Sequence, residues 1–215
     1  MDLFDALDDT APCSEAICPG AVLLHGFARA QADALWSITQ TVLATAPLRQ
    51  MQTPGGHWMS VQTSSCGTAG WVSDELGYRY STHDPLSGQR WPAIPAEFLQ
   101  LARDAAAAGG FADFVPDACL INRYTPGARM SLHQDRNERD FGAPIVSLSL
   151  GVPAIFLFGG QQRSDKPRRY RLLHGDVVVW GGPARLAFHG VAPLALGDHP
   201  LSGDARINLT FRKAL

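Results

Sequence analysis

The chain has 215 residues, 46% of them hydrophobic and 18% charged, with a formal net charge of −2. That length buries a sizeable core as one domain, and that composition excludes a disordered or fibrous chain. The near-neutral balance excludes a surface that grips nucleic acid all round, and there is no apolar run of about 18 residues to span a membrane.

The start, MDLFDALDD, is acidic: the first twenty residues hold Asp2, Asp5, Asp8, Asp9 and Glu15 and no Lys or Arg. A signal peptide is basic there, so the expected compartment is the cytoplasm, with no membrane partner. Cys13, Cys18, Cys66 and Cys119 show no C-x-x-C spacing and read as reduced structural thiols.

In chain order, residues 20 to 28, GAVLLHGFA, read as a first strand. Ala34, Leu35, Ile38, Val42 and Leu43 then fall near helical spacing and predict an amphipathic helix over roughly 30 to 45. Residues 48 to 91 are rich in Gly, Ser, Thr, Pro and aromatic residues. They resemble a hairpin and a mobile loop, a composition that suits a lid better than a core. A second helix follows, with Pro95 in its first turn, Phe98, Leu101, Ala102 and Ala105 as its apolar stripe, and Gly109-Gly110 at its end. From 117 onward short runs alternate with turn signals: ACLINRY, PIVSLSLG, AIFLFGG, RRYRLLH, DVVVWGG, RLAFHGV and RINLTFR. Runs at such spacing predict antiparallel sheets. The expected fold is mainly β with flanking helices, a double-stranded β-helix or jelly roll. It forms a single domain, with an N-terminal extension over 15–115 that carries the lid at about 48–91, and a catalytic core over 116–215.

The chemistry concentrates in SLHQD and LAFHG. His133 and Asp135 alternate, so on an extended segment both side chains leave one face while Gln134 points away. His189 must then arrive from a separate strand. Two imidazoles and one carboxylate hold a ferrous ion by one face and leave the other positions for a chelating acid and O2. A second H-x-D, His174 and Asp176, straddles Gly175 between two strands, where a turn would break the alternation. Arg206, Asn208 and Arg212 share one face of a strand. Two arginines directed into a barrel are costly unless each meets an anion, and 2-oxoglutarate carries a carboxylate at each end. Asn122 and Tyr124, neighbours on one strand face, can add hydrogen bonds. Between 123 and 171, nine basic residues face four acids, a local rim that suits an anionic substrate.

The run PDACLINRYTPGARMSLHQD, the distal HG and RINLTFR resemble the AlkB family of Fe(II)- and 2-oxoglutarate-dependent nucleic-acid dealkylases, of bacterial type. MQTPGG, WPAIP, FGG and HGDVVVWGG extend the resemblance over nearly the whole chain. It implies His133, Asp135 and His189 as the metal ligands, and Asn122, Tyr124, Arg206, Asn208 and Arg212 as co-substrate contacts. Arg212 would meet the carboxylate near iron and Arg206 the remote one. It further implies that Trp71 stacks the alkylated base against His133, with Tyr78 in the lid and Arg163 as a further substrate contact. The implied reaction is demethylation of bases of the 1-methyladenine and 3-methylcytosine type in single-stranded DNA or RNA, by a monomer, releasing formaldehyde, succinate and CO2. The family pattern H-x-D-x-D-E is broken at Asn137, which predicts an altered base preference. His57 and Thr63 also depart from it. Two rival readings keep the same residues: a 2-oxoglutarate-dependent hydroxylase of a small molecule or protein side chain, and a jelly-roll binding protein with a degenerate metal site.

Overall fold

A computed structural model describes residues 11–215. Asp2, Asp5, Asp8 and Asp9 lie outside them. The strands are β1 (Cys13–Cys18), β2 (Ala21–His25), β3 (Arg49–Gln52), β4 (Trp58–Gly67), β5 (Gly70–Asp74), β6 (Gly77–Ser81), β7 (Ala118–Tyr124), β8 (Met130–His133), β9 (Ile145–Gly151), β10 (Ala154–Phe158), β11 (Arg168–Leu172), β12 (Val177–Trp180), β13 (His189–Val191) and β14 (Arg206–Arg212). The helices are α1 (Ala32–Thr45) and α2 (Ala96–Ala108). An eight-stranded sheet in the order β1-β2-β12-β9-β14-β7-β4-β3 faces a four-stranded sheet, β11-β10-β13-β8, and β5-β6 form a separate hairpin. Neighbours pair antiparallel throughout, which is the jelly-roll arrangement the strand spacing predicts.

The large sheet is covered on both faces, so its central strand β14 is buried along its whole length. Ile207, Leu209 and Phe211 point to one side and pack with Phe98, Leu101 and Ala105 of α2. Between the sheets a second core holds Leu23, Ile145, Phe156, Val178 and Trp180. No helix among the described residues is long and apolar enough to cross a membrane.

Several elements depart from the sequence expectation. The segment 48–91 is only partly a lid: β3 and β4 extend the large sheet, with Val61, Thr63, Ser64, Ser65 and Cys66 buried. Backbone pairing on both edges of β4 and the bond from Ser64 Oγ to Ala46 O (2.6 Å) accommodate these small residues in the interior, while the Thr63 and Ser65 hydroxyls are buried without a hydrogen-bond partner among the described residues. Pro95 caps α2 from outside, with ψ of 150°. RLAFHGV is a strand only at its last three residues. β1 and β8 carry little apolar alternation and escape a periodicity reading. The thiols divide into two kinds: Cys66 and Cys119 are buried opposite each other in register, whereas Cys13 and Cys18 are exposed on the edge strand.

Candidate active site

His133 ends β8 and lies directly opposite His189, the first residue of β13. Gly190 permits this close approach, since a Cβ there would stand 2.6 Å from the Met130 carbonyl. Asp135 follows two residues beyond β8, where the chain has left the strand. Ligand atoms of His133, Asp135 and His189 all lie within 4.8 Å of one another. Each Nδ1 has a backbone carbonyl as partner, Ser131 O at 2.9 Å for His133 and Ala187 O at 3.0 Å for His189. A carbonyl only accepts, so each Nδ1 carries the proton and each Nε2 keeps a lone pair. Those Nε2 atoms stand 3.6 and 3.8 Å from the Asp135 carboxylate. Burial, with the neighbouring His133 imidazole, pushes His189 down to about 4 and keeps it neutral. Burial alone would raise Asp135, but the Arg212 guanidinium and then the two imidazoles hold it well below the usual carboxylate range. Two imidazoles that each offer an Nε2 lone pair and one carboxylate, gathered within 4.8 Å of one another, fit a divalent iron ion.

The loop carrying Asp135 is pinned by Arg212 and by three side chains that the sequence did not single out, Arg185, Glu138 and Tyr80. Arg185, buried, donates to the carbonyls of Ala143 (3.1 Å) and Asp135 (3.0 Å) and ion-pairs with Glu138 at 3.2 Å. Arg212 reaches the same Asp135 oxygen through Nε at 2.9 Å and Nη2 at 2.7 Å, and lies 3.4 Å from Glu138. Tyr80 of β6 donates to Glu138 at 2.7 Å, which ties the hairpin to the triad. Their signal in the sequence is faint: Glu138 stands in HQDRNE and Arg185 in RLAFHG, beside the motif residues.

On the opposite side of β14 from the helices, Arg206, Asn208, Thr210 and Arg212 line a cavity of about 610 Å³ with the triad in its wall. Asn208 donates to Ser147 Oγ (2.8 Å) and Leu148 O (2.9 Å), and Thr210 donates to Asn208 Oδ1 (2.9 Å). Arg206 has no carboxylate partner among the described residues. Its Nε donates to Ser149 Oγ at 2.9 Å and its guanidinium lies 5.1 Å over the Tyr124 ring, while Nη1 is buried without a hydrogen-bond partner. Asn122 Oδ1, opposite Asn208 in register, is orphaned as well. Burial lowers the Arg206 pKa and raises that of Tyr124. A buried guanidinium with an open donor calls for an anion.

At the cavity mouth Trp71 of β5 stacks on Tyr78 of β6, with centroids 5.6 Å apart and planes at 15°. Asn137 joins them: Trp71 Nε1 donates to its Oδ1 and its Nδ2 donates to the Tyr78 carbonyl, each at 3.3 Å. Arg163 is exposed and lines the same mouth. Of the two departures in the segment 48–91, His57 is exposed in the β3–β4 turn and Thr63 is fully buried beside Asn122. The second H-x-D is not brought together. Gly175 adopts φ of 87°, the His174 ring stacks on His199, and Asp176 accepts from the backbone of Gly26 and Leu173, both at 2.7 Å.

Comparison with known proteins agrees with this architecture. The family model for the 2OG-Fe(II) oxygenase superfamily matches residues 20–212. The alpha-ketoglutarate-dependent dioxygenase AlkB of Salmonella typhimurium is 53% identical over 212 residues, covering 99% of this chain and 98% of that one. The DNA N(6)-methyladenine demethylase ALKBH1C of Arabidopsis thaliana is 37% identical over 161 residues, 63% of this chain and 35% of that one. Among solved structures, that of OsALKBH1 superposes with a TM-score of 0.80 at 29% identity, covering 94% of this chain and 100% of the other.

Proposed function

Because the chain belongs to the AlkB family of the 2-oxoglutarate- and Fe(II)-dependent oxygenases, we propose that it removes methyl groups from N-alkylated bases, of the 1-methyladenine and 3-methylcytosine type, in single-stranded DNA or RNA. It is an Fe(II)/2-oxoglutarate-dependent dioxygenase acting on nucleic acid. In this reading His133, Asp135 and His189 hold the iron, Arg206 takes the remote carboxylate of 2-oxoglutarate, and Arg212 lies beside the end that chelates the metal. Asn122, Tyr124 and Asn208 hydrogen-bond to the co-substrate. The observation that carries it is the pairing of a complete ligand set with an uncompensated buried guanidinium in one cavity.

Bound there, Fe(II) with 2-oxoglutarate and O2 supplies the oxidative decarboxylation to succinate and CO2 and one oxygen atom for the N-methyl group. The protein's own residues do the positioning. The backbone carbonyls at Ser131 and Ala187 fix the imidazole tautomers, and Arg212 keeps Asp135 ionised and oriented. Trp71 and Tyr78 offer the ring surface that takes the extruded base, and Arg163 meets a phosphate. A base whose pairing edge is methylated is already easier to extrude, so single strands suit it. The hydroxymethyl adduct left on the base then collapses to formaldehyde. We place the activity in the cytoplasm, in a monomer with no membrane partner.

The test is formaldehyde release with Fe(II) and 2-oxoglutarate from methylated single-stranded DNA, set against a free methylated nucleoside and a methylated peptide. Release from the oligonucleotide is expected. Equal or preferential release from the nucleoside or peptide would instead mark a hydroxylase of small molecules or protein side chains.

A further inference from the structure

Trp58, the first residue of β4, is 66% exposed, although an indole is among the costliest side chains to leave in water. The other four tryptophans are accounted for. Trp180 is buried, Trp91 is buried and donates to Ser81 O, Trp36 packs on the core, and Trp71 stacks on Tyr78. Among the described residues no ring contacts Trp58. An isolated exposed aromatic is commonplace, but this one lines the same cavity as the triad, at its rim.

Trp58 and Ser60 alternate onto one face of β4. The Ser60 hydroxyl bonds both the amide and the carbonyl of Arg129, each at 3.0 Å, which fastens the start of β4 to the turn before β8. Arg129 is exposed, lines the cavity and forms no ion pair among the described residues. The cavity lining therefore includes an unstacked indole and, anchored through Ser60 two residues along β4, an unpaired guanidinium. A flat π-face beside a cation is the surface on which single-stranded nucleic acid stacks a base and lays a phosphate.

We propose that Trp58 is a second stacking subsite, which holds the nucleobase adjoining the alkylated one, with Arg129 on the phosphate between them. This rests on the nucleic-acid reading above. The subsite is sequence-tolerant, because every base has a π-face. It anchors the strand while the damaged base enters between Trp71 and the triad. It also makes a flanking base part of what the enzyme recognises.

Binding to the full chain without added iron reads this apart from turnover. Fluorescence anisotropy of a labelled single-stranded decamer with one central 1-methyladenine is compared for the natural protein, Trp58→Ala and Trp58→Phe. Trp58→Ala is expected to weaken binding roughly tenfold and Trp58→Phe to recover most of it. The penalty should vanish on a decamer whose nucleotides flanking the lesion are abasic, since no base is left to stack. For Arg129→Gln the log–log salt slope should fall by about 0.7. A natural protein that ignores every decamer overturns the nucleic-acid reading and the subsite together. A natural protein that binds, with Trp58→Ala indistinguishable from it or equally impaired on the abasic decamer, overturns the subsite alone.

Discussion

The two faces of β14 are equally buried and chemically opposite. Toward α2 the strand shows Ile207, Leu209 and Phe211; toward the cavity it shows Arg206, Asn208, Thr210 and Arg212. Burial by itself therefore does not mark the stabilising core of this protein. The helix-facing side lowers free energy by removing apolar area from water, whereas the cavity side spends stability on desolvated polar groups. Within that polar face a second contrast holds. Arg212 is ion-paired with Asp135 and Glu138, while Arg206 has only a hydroxyl and an aromatic ring.

Replacing a candidate metal ligand should destroy function without unfolding the chain. His133→Ala, at a half-exposed position, is expected to abolish formaldehyde release while shifting urea-unfolding stability by only about 0.5 kcal/mol. Substantial residual turnover would remove His133 from the ligand set. Arg212→Met leaves Asp135 and Glu138 buried without their shared cation, and should cost about 3–5 kcal/mol in the same denaturation experiment. On the other face, Leu209→Ala should cost about 2–5 kcal/mol by opening a cavity against α2. Its turnover per folded molecule should stay near that of the natural protein.

Arg206→Met sharpens the comparison through its sign. It removes a desolvated charge that no carboxylate compensates, so the ligand-free protein should gain about 1 kcal/mol or more while 2-oxoglutarate affinity, read by calorimetry, drops. A loss of stability equal to that of Arg212→Met would show that the two arginines are not in different states. The smallest effect lies at the mouth. Asn137 both accepts from Trp71 and donates to the Tyr78 carbonyl. Asn137→Asp loses the donor and adds an anion, which should favour cationic 1-methyladenine over neutral etheno-adenine by a few-fold, screened as an exposed charge. An unchanged ratio of the two rates would remove Asn137 from base selection.

Much of the fold was legible because the strands from 117 onward are short, β-branched and punctuated by turns, and because the stripes of α1 and α2 follow helical spacing. β4 misled because its interior residues are Thr, Ser and Cys: composition reports polarity, whereas burial follows from which strands pair on either side. The candidate ligands were legible from residue type and the H-x-D spacing. The loop ion pairs were not, since nothing in HQDRNE tells a solvated Glu138 from one buried between Arg185, Arg212 and Tyr80.

By itself the sequence determined the periodicities and the inventory of donors: which residues alternate on a strand, which acids and imidazoles are available, and where turns must fall. These are local properties, set within a few residues by backbone geometry. Only the tertiary structure decided that His133 lies opposite His189, that Arg185 ties down the Asp135 loop, and that Arg206 is left with an open donor while Arg212 is ion-paired. Those outcomes depend on register and on chain segments meeting across long separations, where packing and desolvation act on the whole assembly at once.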